Sequence, residues 1–446
     1  MASSTPFSAR CLFPADMVIT GRAVGVGVAL AFVTVLRPQW STLWIYVIVV
    51  VLVVSIDALR AAAPSTITFE RDGDSAVRVG EEATISLRIT NRSARRFTGA
   101  VRDAWPPSSP TTPRAASVAI AGGDRRTLTT KVTPSRRGRC HADKVTVRSL
   151  GPWGLAGRQA SRRVPWHIDV MPPFTSRQHL PSKLAKLRDL EGRTVVLQRG
   201  QGTEFDSLRE YVVGDDVRSI DWRATARASD VMVRTWRPER DRHVLIVLDC
   251  GRTSAGRVGD APRLDAAIEA TLLLTALAAR AGDQVDALAW DRRPQGAVQG
   301  RSGSDLMAST TSMLGQVQAS LVETDWQGLS SEVIRRARHR SLVVLLTALD
   351  PAPTHHGLLP VLPQLTSRHQ IIVASVSDPS VARMLGDRND LTTTYRAAAA
   401  AGFTRERRAI SGALSRAGVE VVDELPDDLA PGLADRYLAL KAQGRL

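Results

Sequence analysis

The sequence has few cysteines and lacks the common catalytic motifs. Cys11, Cys140 and Cys250 lie far apart, and no two cysteines have the short spacing of a zinc or redox motif. A disulfide framework is therefore not expected, and a reducing compartment fits better. The motifs HExxH and GxSxG and any Cys–His metal spacing are also missing from the sequence. No recognisable set of residues for hydrolase catalysis is therefore present.

A functional phosphate-binding loop is missing too. Residues 251–258, GRTSAGRV, follow a predicted strand and mimic such a loop through their GxxxxG spacing. However, Arg257 and Val258 stand where a phosphate loop has Lys and then Ser or Thr, and Asp249 would repel a phosphate. The sequence therefore argues against nucleotide binding at this loop.

Positive charge is abundant: the formal net charge of the 446-residue chain is +15. Much of the excess is arginine, which is clustered at residues 92–96, 136–139 and 335–340. These clusters are scattered along the chain and have no nucleic-acid-binding fold signature beside them, so no nucleic-acid partner is expected. A basic face close to a membrane is the better interpretation.

Two apolar segments dominate the start of the chain. Residues 17–36 are interrupted by one charge, Arg22, and residues 40–56 are rich in valine. Each segment approaches the ~20 residues that cross a bilayer. The sequence therefore predicts two transmembrane helices within residues 17–60, after an N-terminal tail of residues 1–16. A cleaved signal peptide ending near residues 61–63 is the alternative, but Asp57, Arg60 and the doubled apolar run disfavour it.

The basic residues around these segments predict their orientation. Arg10, Arg22 and Arg60 flank the outer ends, whereas Arg37 lies in the connecting turn. The positive-inside rule then places the tail and the soluble domains in the cytoplasm, and we expect a multi-pass protein of the cell membrane. Aromatic residues suited to the opposite membrane interface are Trp40, Trp44 and Tyr46.

Residues 65–172 contain short segments of alternating polar and apolar residues, separated by Gly, Pro, Asn and Ser. This pattern predicts an antiparallel β-sandwich of the immunoglobulin-like type. From residue 243 to 446 strands and helices alternate instead, and the strands include the apolar runs LIVL, LVVLL and IIVASV. Such runs are typical of a parallel sheet that is buried on both faces, so a doubly wound α/β domain is expected. Residues 173–242 form the connector.

Polar residues lie where the strands of the α/β domain end. Asp249, Gly251 and Thr253 have the Asp-x-Ser-x-Ser spacing of a metal-ion-dependent adhesion site, with Gly and Thr in place of the two serines. Thr324 could add an oxygen and Asp350 a second carboxylate, and such oxygen ligands suit Mg²⁺. The alternative is structural, because an Asp at a strand end often caps the following turn.

The connector holds a dense group of charges around Tyr211, Trp222 and Trp236. Because Trp and Tyr normally bury most of their area, we expect the neighbouring charges to be ion-paired or to face a partner. An internal network of ion pairs is the competing interpretation. The candidate residues are Glu204, Asp206, Arg209, Tyr211, Asp215, Asp216, Arg218, Asp221, Trp222 and Arg227.

These motifs resemble the bacterial domain-of-unknown-function family fifty-eight, whose members carry a von Willebrand factor A-like domain. The resemblance lies in GxGxEFDxLREY at residues 200–211, GDDxRxIDW at 214–222, the Ala-Arg pair at 226–227 and the strand that ends at Asp249. Upstream, RRGR at 136–139 and GPWGL at 151–155 resemble elements that often precede the family domain, although the first Gly of GPWGL stands where the family frequently has Asp.

The resemblance implies a membrane-anchored protein that works with a MoxR-type AAA+ ATPase and with other membrane or envelope proteins in the assembly or activation of complexes. Members of the family have no established catalytic activity. We therefore expect a non-enzymatic, protein-binding adaptor with no certain cofactor and Mg²⁺ as the one candidate. The alternative is a metal-dependent enzyme that acts on envelope precursors at the cytosolic membrane face, with Asp249 and Asp350 as a carboxylate pair.

Overall fold

A computed structural model describes residues 17–36, 38–197, 204–213, 215–228, 230–237, 242–301 and 303–446. The chain divides into two compact units, one ending at Met171 and the other beginning at Pro172. The helices and strands of the first unit are β1 (Met17–Ile19), α1 (Gly21–Leu36), α2 (Trp40–Arg60), β2 (Ile67–Gly73), β3 (Ala76–Arg78), β4 (Ala83–Asn91), β5 (Phe97–Ala104), β6 (Thr111–Thr112), β7 (Ala116–Ile120), β8 (Arg125–Val132), β9 (Gly138–Leu150) and β10 (Ala156–Met171).

The strands of the first unit form two sheets. One has the order β1-β10-β9-β5-β7, with β3 parallel to β10, and the other has the antiparallel order β2-β4-β8-β6. Every second residue of β4 is buried, as the period of a half-exposed strand requires. Side chains from both sheets, among them Leu87 and Phe97, share one apolar core. The predicted β-sandwich is therefore confirmed.

The structure supports one of the two spanning helices predicted within residues 17–60 and shortens the other. Met17–Ile19 is a strand that pairs antiparallel with the start of β10 and so cannot begin a helix. Helix α1 is left with 16 residues, a length of about 24 Å, which is shorter than a hydrocarbon core of roughly 30 Å. In the described part of the chain, one helical segment, beginning at Trp40, has the length and composition to cross a membrane.

Tyr46 also differs from its predicted place at a membrane interface. Its hydroxyl donates a hydrogen bond of 3.0 Å to the carbonyl oxygen of Gly27 and so links α2 to α1. Trp40 and Trp44, in contrast, are 79% and 63% exposed. These two side chains remain suited to a lipid interface, whereas Tyr46 is a helix–helix contact.

A buried carboxylate joins α2 to the sandwich. Asp57, in the last turn of α2, is fully buried and accepts backbone N–H bonds from Trp153 (2.9 Å), Leu155 (2.7 Å) and Ala156 (2.9 Å). A Cβ atom on Gly151 would lie 2.3 Å from Asp57 Oδ1. The glycine that departs from the family pattern therefore leaves the space that the Asp57 carboxylate occupies.

The start of α1 is tied to the same loop, residues 151–155. The Thr20 hydroxyl donates to the carbonyl oxygens of Gly154 (2.7 Å) and Leu155 (3.0 Å). Both outer ends of the helical hairpin are thus held by GPWGL. This motif acts as the attachment point of the two helices on the sandwich.

The second unit contains a helix, a β-hairpin and a doubly wound α/β domain. Its elements are α3 (Leu180–Leu197), β11 (Glu204–Glu210), α4 (Trp222–Thr225), β12 (Met232–Arg237), β13 (His243–Asp249), β14 (Arg257–Val258), β15 (Ala261–Pro262), α5 (Arg263–Arg280), β16 (Gln284–Trp290), β17 (Pro294–Val298), α6 (Gly303–Gln316), α7 (Trp326–Arg336), β18 (Leu342–Leu346), α8 (Pro351–Pro353), α9 (Leu359–Thr366), β19 (Gln370–Val376), α10 (Pro379–Gly386), α11 (Leu391–Arg416), β20 (Glu420–Glu424) and α12 (Pro426–Ala442).

The main sheet of this unit has the order β17-β16-β13-β18-β19-β20, and all of its strands are parallel except β17, an antiparallel edge strand. Residues of β13 alternate between two cores: Val244, Ile246 and Leu248 pack with α5 and α12, whereas Leu245 and Val247 pack with α7, α9 and α11. Helices therefore cover both faces. This burial explains the apolar strand sequences and brings the end of β13 to the carboxyl edge of the sheet.

Candidate functional site

Asp249 ends β13 at the carboxyl edge of the sheet and is 3% exposed. Its Oδ1 accepts hydrogen bonds from the Gly251 amide (2.8 Å) and the Thr324 hydroxyl (2.5 Å). Its Oδ2 accepts hydrogen bonds from the hydroxyls of Thr347 (2.6 Å) and Thr253 (3.3 Å). We call these five residues the Asp–Thr cluster. Thr347 directly follows the apolar strand β18, which lies beside β13, and the sequence predicts that residues 347–350 face the same crevice as Asp249.

The electrostatics of the cluster are dominated by burial. Desolvation raises the pKa of the Asp249 carboxyl, and the hydrogen bonds from Thr324, Thr347, Gly251 and Thr253 oppose that rise. Within the described part of the chain, all four donors to this carboxylate are neutral groups. The cluster is thus a closed arrangement of hydrogen bonds around one acidic group.

Gly251 is the residue that allows Thr324 to reach Asp249. A Cβ atom at position 251 would lie 2.1 Å from Thr324 Oγ1. The adhesion-site motif has Ser at this position. The side chain of such a serine would occupy the space that the Thr324 hydroxyl fills in this protein. The hydroxyl of Thr324 therefore stands where the missing serine would lie.

Asp350 does not fit the predicted set of metal ligands, which also comprises Asp249, Thr253 and Thr324. The Asp350 carboxylate accepts two hydrogen bonds from Arg263 Nη1, at 3.2 and 3.0 Å. A guanidinium in this position repels a second cation. Across the residues that the structure describes, no group of three or more His, Cys, Asp or Glu side chains could hold a metal. Asp249 is the one carboxylate left to the predicted set, and the hydroxyls of Thr253 and Thr324 already donate hydrogen bonds to it.

Restoring the serine of the adhesion motif should therefore not create a metal site. We expect Gly251→Ser to lower the free energy of unfolding of the second unit by about 1–3 kcal/mol, because the new side chain displaces Thr324. The measurement is urea unfolding with and without millimolar Mg²⁺, and Gly412→Ser is the control because a Cβ there meets no atom within 4 Å. Stabilisation of Gly251→Ser by Mg²⁺ would contradict this interpretation.

A cleft of about 420 Å³ lies beside the cluster and is lined by Arg252, Thr253, Gly256, Arg263 and residues 350–353. Both arginines already have acidic partners. Arg252 lies 2.5 Å from Glu323, and Arg263 binds Asp350 as described above. The charge at this cleft is thus neutralised within the protein.

The signature segment folds into an arm, which we define as the described residues between 204 and 237: strands β11 and β12, helix α4 and their connections. β11 pairs antiparallel with β12. Asp215 binds Arg209 at 2.6 Å, and Asp221 binds Arg234 at 2.8 Å. Hydrogen bonds from Arg209 lower the pKa of Asp215, and those from Arg234 lower the pKa of Asp221.

Two acidic side chains of the arm also cap helical turns. Asp221 accepts the backbone N–H bonds of Arg223 and Ala224 and so begins α4, and Asp216 accepts the N–H of Arg218 in a short 3₁₀ turn. Capping of this kind satisfies N–H groups that have no partner within the helix. Asp215, Asp216 and Asp221 therefore stabilise the arm itself, as the interpretation of an internal network predicts.

Trp222 is not buried, so the expectation based on the size of its side chain is wrong. Trp222 is 69% exposed and Tyr211 is 36% exposed. Beside them along the chain, Val212, Val213 and Val217 are 60%, 95% and 65% exposed. The arm therefore presents exposed apolar side chains instead of a core. The side chains of Glu204, Asp206 and Trp236 lie outside the described residues, although their backbones belong to β11 and β12.

Two arginines of the signature, Arg218 and Arg227, accompany these apolar side chains. Both are exposed, and neither forms an ion pair with another residue in the described part of the chain. Arg209, in contrast, is already engaged with Asp215. Among the described signature residues, Asp215, Asp216, Asp221 and Arg209 thus hold the arm together, whereas Arg218 and Arg227 form no ion pair with another described residue.

The opposite edge of the sheet holds a Ser–His–Asp constellation that sequence reasoning missed. His243 Nε2 lies 3.0 Å from Asp286 Oδ2, and His243 Nδ1 lies 2.9 Å from Ser341 Oγ. Ser341 is 2% exposed, and its hydroxyl donates to the carbonyl oxygen of His339. Because that hydroxyl is buried and already committed, the group links strand starts and does not offer a nucleophile.

Fold and site together describe a protein with a β-sandwich and a doubly wound α/β domain that carries an exposed arm and a closed Asp–Thr cluster. Residues 207–392 match the family described as "Protein of unknown function DUF58". The resemblance to this family is thus confirmed over these residues. The match begins in β11 and continues through the Asp–Thr cluster as far as the start of α11.

Relatives of the chain include uncharacterized protein Rv1480 of Mycobacterium tuberculosis and uncharacterized protein Mb1516 of Mycobacterium bovis. Each is 28% identical over 229 residues, which cover 47% of this chain and 70% of the relative. Among solved structures, an Escherichia coli alpha-2-macroglobulin fragment matches with a TM-score of 0.21 and 21% identity, over 25% of this chain and 17% of that chain. A CARDB domain from Pyrococcus furiosus matches with a TM-score of 0.16 and 15% identity, over 23% and 86%. Similarity of this extent says nothing about function.

Proposed function

We propose that the chain is a membrane-anchored, non-enzymatic adaptor that binds other proteins through its arm. The observation that carries this proposal is the exposure of Trp222, Val213 and Val217 on the segment that matches the family. Exposed apolar side chains that lie close together on a soluble surface mark sites of protein interaction. In this proposal the sandwich is immunoglobulin-like, the α/β domain is von Willebrand factor A-like, and both serve as the frame for the arm.

The composition of the arm surface supports a protein partner. Trp and Arg are the residues that most often dominate the binding energy of protein interfaces, and the arm exposes Trp222 with Arg218 and Arg227. The ion pairs and caps formed by its acidic residues hold the backbone in place. A surface that is already ordered loses less conformational entropy when a partner binds.

The Asp–Thr cluster has a different role in this proposal. Asp249 is 3% exposed and is surrounded by its four donors, so it cannot contact a partner directly. We assign the cluster to the stability of the sheet edge. The alternative of a metal-dependent enzyme acting on envelope precursors needs Asp249 and Asp350 as a carboxylate pair, and the ion pair of Asp350 with Arg263 disfavours it.

The partner that we propose is a MoxR-type AAA+ ATPase, as the family resemblance implies, acting with this chain in the assembly or activation of other membrane or envelope proteins. We further propose that α2 crosses the cell membrane, that α1 completes a multi-pass hairpin and that both units lie in the cytoplasm. The length and apolar composition of α2 support the anchoring.

The decisive experiment is capture of the ATPase from solubilised membranes. We expect Trp222→Ala to reduce the amount of retained ATPase at least about tenfold, because a central exposed Trp commonly contributes more than about 1.4 kcal/mol to an interface. The free energy of unfolding should change by less than about 0.5 kcal/mol, because the side chain is largely solvent-exposed.

Tyr395→Ala is the matched control, since Tyr395 is 70% exposed on α11 of the same unit. This variant should retain the ATPase as the wild type does. Equal retention by wild type and Trp222→Ala would remove the arm from the interface. Absence of any AAA+ ATPase from the wild-type capture would refute the proposed partner.

A further inference from the structure

We propose that the junction between α2 and the sandwich binds the headgroup of an anionic phospholipid. The junction consists of Arg22, Arg60, Arg95 and the loop of residues 151–155. This inference rests on the part of the proposed function that places α2 in a membrane. It adds a specific ligand site to that anchor.

Three arginines from separate segments of the chain meet at the junction. The guanidinium carbon of Arg60 lies 5.6 Å from the centroid of the Trp153 ring. Arg95 Nη1 donates a hydrogen bond of 3.1 Å to the carbonyl oxygen of Leu59. The Nη1 atom of Arg22 lies 3.2 Å from where a Cβ on Gly154 would be. Each guanidinium thus contacts either the loop or the last turn of α2.

Among the residues that the structure describes, the three arginines of the junction have no acidic partner in an ion pair. All three arginines are exposed. Asp57, which lies at the same junction, is fully buried, and its oxygens accept three backbone N–H bonds. Arg95 uses one N–H on Leu59 and keeps further donors for a ligand. A guanidinium binds phosphate oxygens with two parallel hydrogen bonds, so a phosphodiester matches these groups.

The position of the junction along α2 explains why the phosphate would belong to a lipid. Ala61 and Ala62 follow directly after α2 and are 3% and 2% exposed, so no flexible linker separates the helix from the sandwich. With residues 40–56 in the hydrocarbon layer, the last turn of α2 lies at headgroup depth. Trp153, 48% exposed, has the amphipathic ring that suits this depth.

The test uses the full-length protein in nanodiscs of phosphatidylcholine with a minor fraction of phosphatidylglycerol, and native mass spectrometry counts the lipids that stay bound. We expect wild type to retain phosphatidylglycerol preferentially. The triple variant Arg22→Gln, Arg60→Gln, Arg95→Gln should lose that preference by at least about fivefold, because one arginine near an anionic surface contributes about a factor of five. Substitution of the same three positions by Lys should keep most of the preference, since the charge remains.

The matched control removes three exposed arginines elsewhere on the sandwich: Arg114→Gln, Arg136→Gln and Arg163→Gln. It carries the same change in charge and should retain phosphatidylglycerol as wild type does. A similar loss in this control, or no lipid preference in wild type, would overturn the site. Stabilisation of wild type by inorganic phosphate in pure phosphatidylcholine nanodiscs would overturn the assignment to a lipid.

Failure of the membrane anchor gives a different result from failure of the lipid site. A protein without a membrane-spanning α2 does not enter nanodiscs at all, and this result would refute the anchoring and with it the lipid site. A protein that enters nanodiscs but shows no preference for phosphatidylglycerol refutes the lipid site alone. Thermal unfolding of the triple variant close to that of wild type shows that lost lipid reports on the site and not on the fold.

Discussion

Replacement of Asp57 by alanine is expected to lower the free energy of unfolding of the first unit by at least about 3 kcal/mol. The buried carboxylate accepts the backbone N–H groups of Trp153, Leu155 and Ala156. Its removal leaves two buried donors and one partly buried donor without an acceptor, and each buried donor costs about 1–3 kcal/mol. The change should be measured by thermal unfolding in detergent and by the rate of proteolysis between α2 and β2.

The isosteric variant Asp57→Asn sharpens this test. An amide has one oxygen, and its NH₂ group would face backbone N–H groups that also donate, so we expect it to recover only part of the stability. Asp143→Ala, which changes an exposed aspartate in β9 of the same sandwich, should unfold like wild type. If Asp57→Ala unfolds at the wild-type temperature, the GPWGL loop does not depend on this carboxylate for its attachment to α2.

The second large effect is expected at the Asp–Thr cluster. Asp249→Ala should destabilise the second unit by about 3–5 kcal/mol, because the hydroxyls of Thr324 and Thr347 and the amide of Gly251 lose a buried acceptor. Asp249→Asn should be tolerated far better. Burial disfavours the charged form of Asp249, and Asn resembles the neutral form while keeping one acceptor oxygen.

The stability of the wild type should depend on pH differently from that of Asp249→Asn, and the raised pKa of Asp249 determines the direction of the difference. Burial raises the pKa of Asp249 in the folded state, so the folded protein holds this proton more tightly than the unfolded chain does. The stabilisation that comes from this more tightly held proton is fully present below pH 3.8, the ordinary pKa of an aspartate. It is lost as the pH rises through the raised pKa of the folded state. The free energy of unfolding of wild type minus that of Asp249→Asn should therefore fall as the pH increases through this range.

Urea unfolding at a series of pH values above 3.8 measures this difference. Asp305→Asn, at an exposed position in α6, provides the comparison for the loss of one carboxylate, and we expect its difference from wild type to vary much less with pH. A pH-independent difference between wild type and Asp249→Asn would show that burial does not control the protonation of Asp249.

Much of the fold could be predicted because the type of each element depends on residues that are near one another in the chain. The alternation in β4 identifies a half-buried strand, and the continuous apolar runs of β13, β18 and β19 identify strands that are buried on both faces. Weaker local signals were missed, such as those of the edge strand β17 and the short helix α10.

The candidate site was predictable only in part. Parallel strands bring their carboxyl ends to one edge, so the meeting of Asp249 with Thr253 and Thr324 follows from the order of the elements. The pairing of Asp350 with Arg263 does not follow, because the two residues are 87 positions apart and no local pattern relates them. Size alone was also misleading for Trp222, since the burial of a large side chain depends on which other segments cover it.

The amino-acid sequence by itself determined the sandwich, the parallel sheet, the apolar helix α2 and the segment that carries the family motifs. These features arise from composition and periodicity over short stretches of chain. The tertiary structure alone decided that Met17–Ile19 is a strand, that Asp57 is held by amides 96 to 99 positions away, and that the arm exposes its apolar residues. Each of these outcomes depends on which distant groups meet, and a hydrogen bond or a buried surface exists only once both partners are in place.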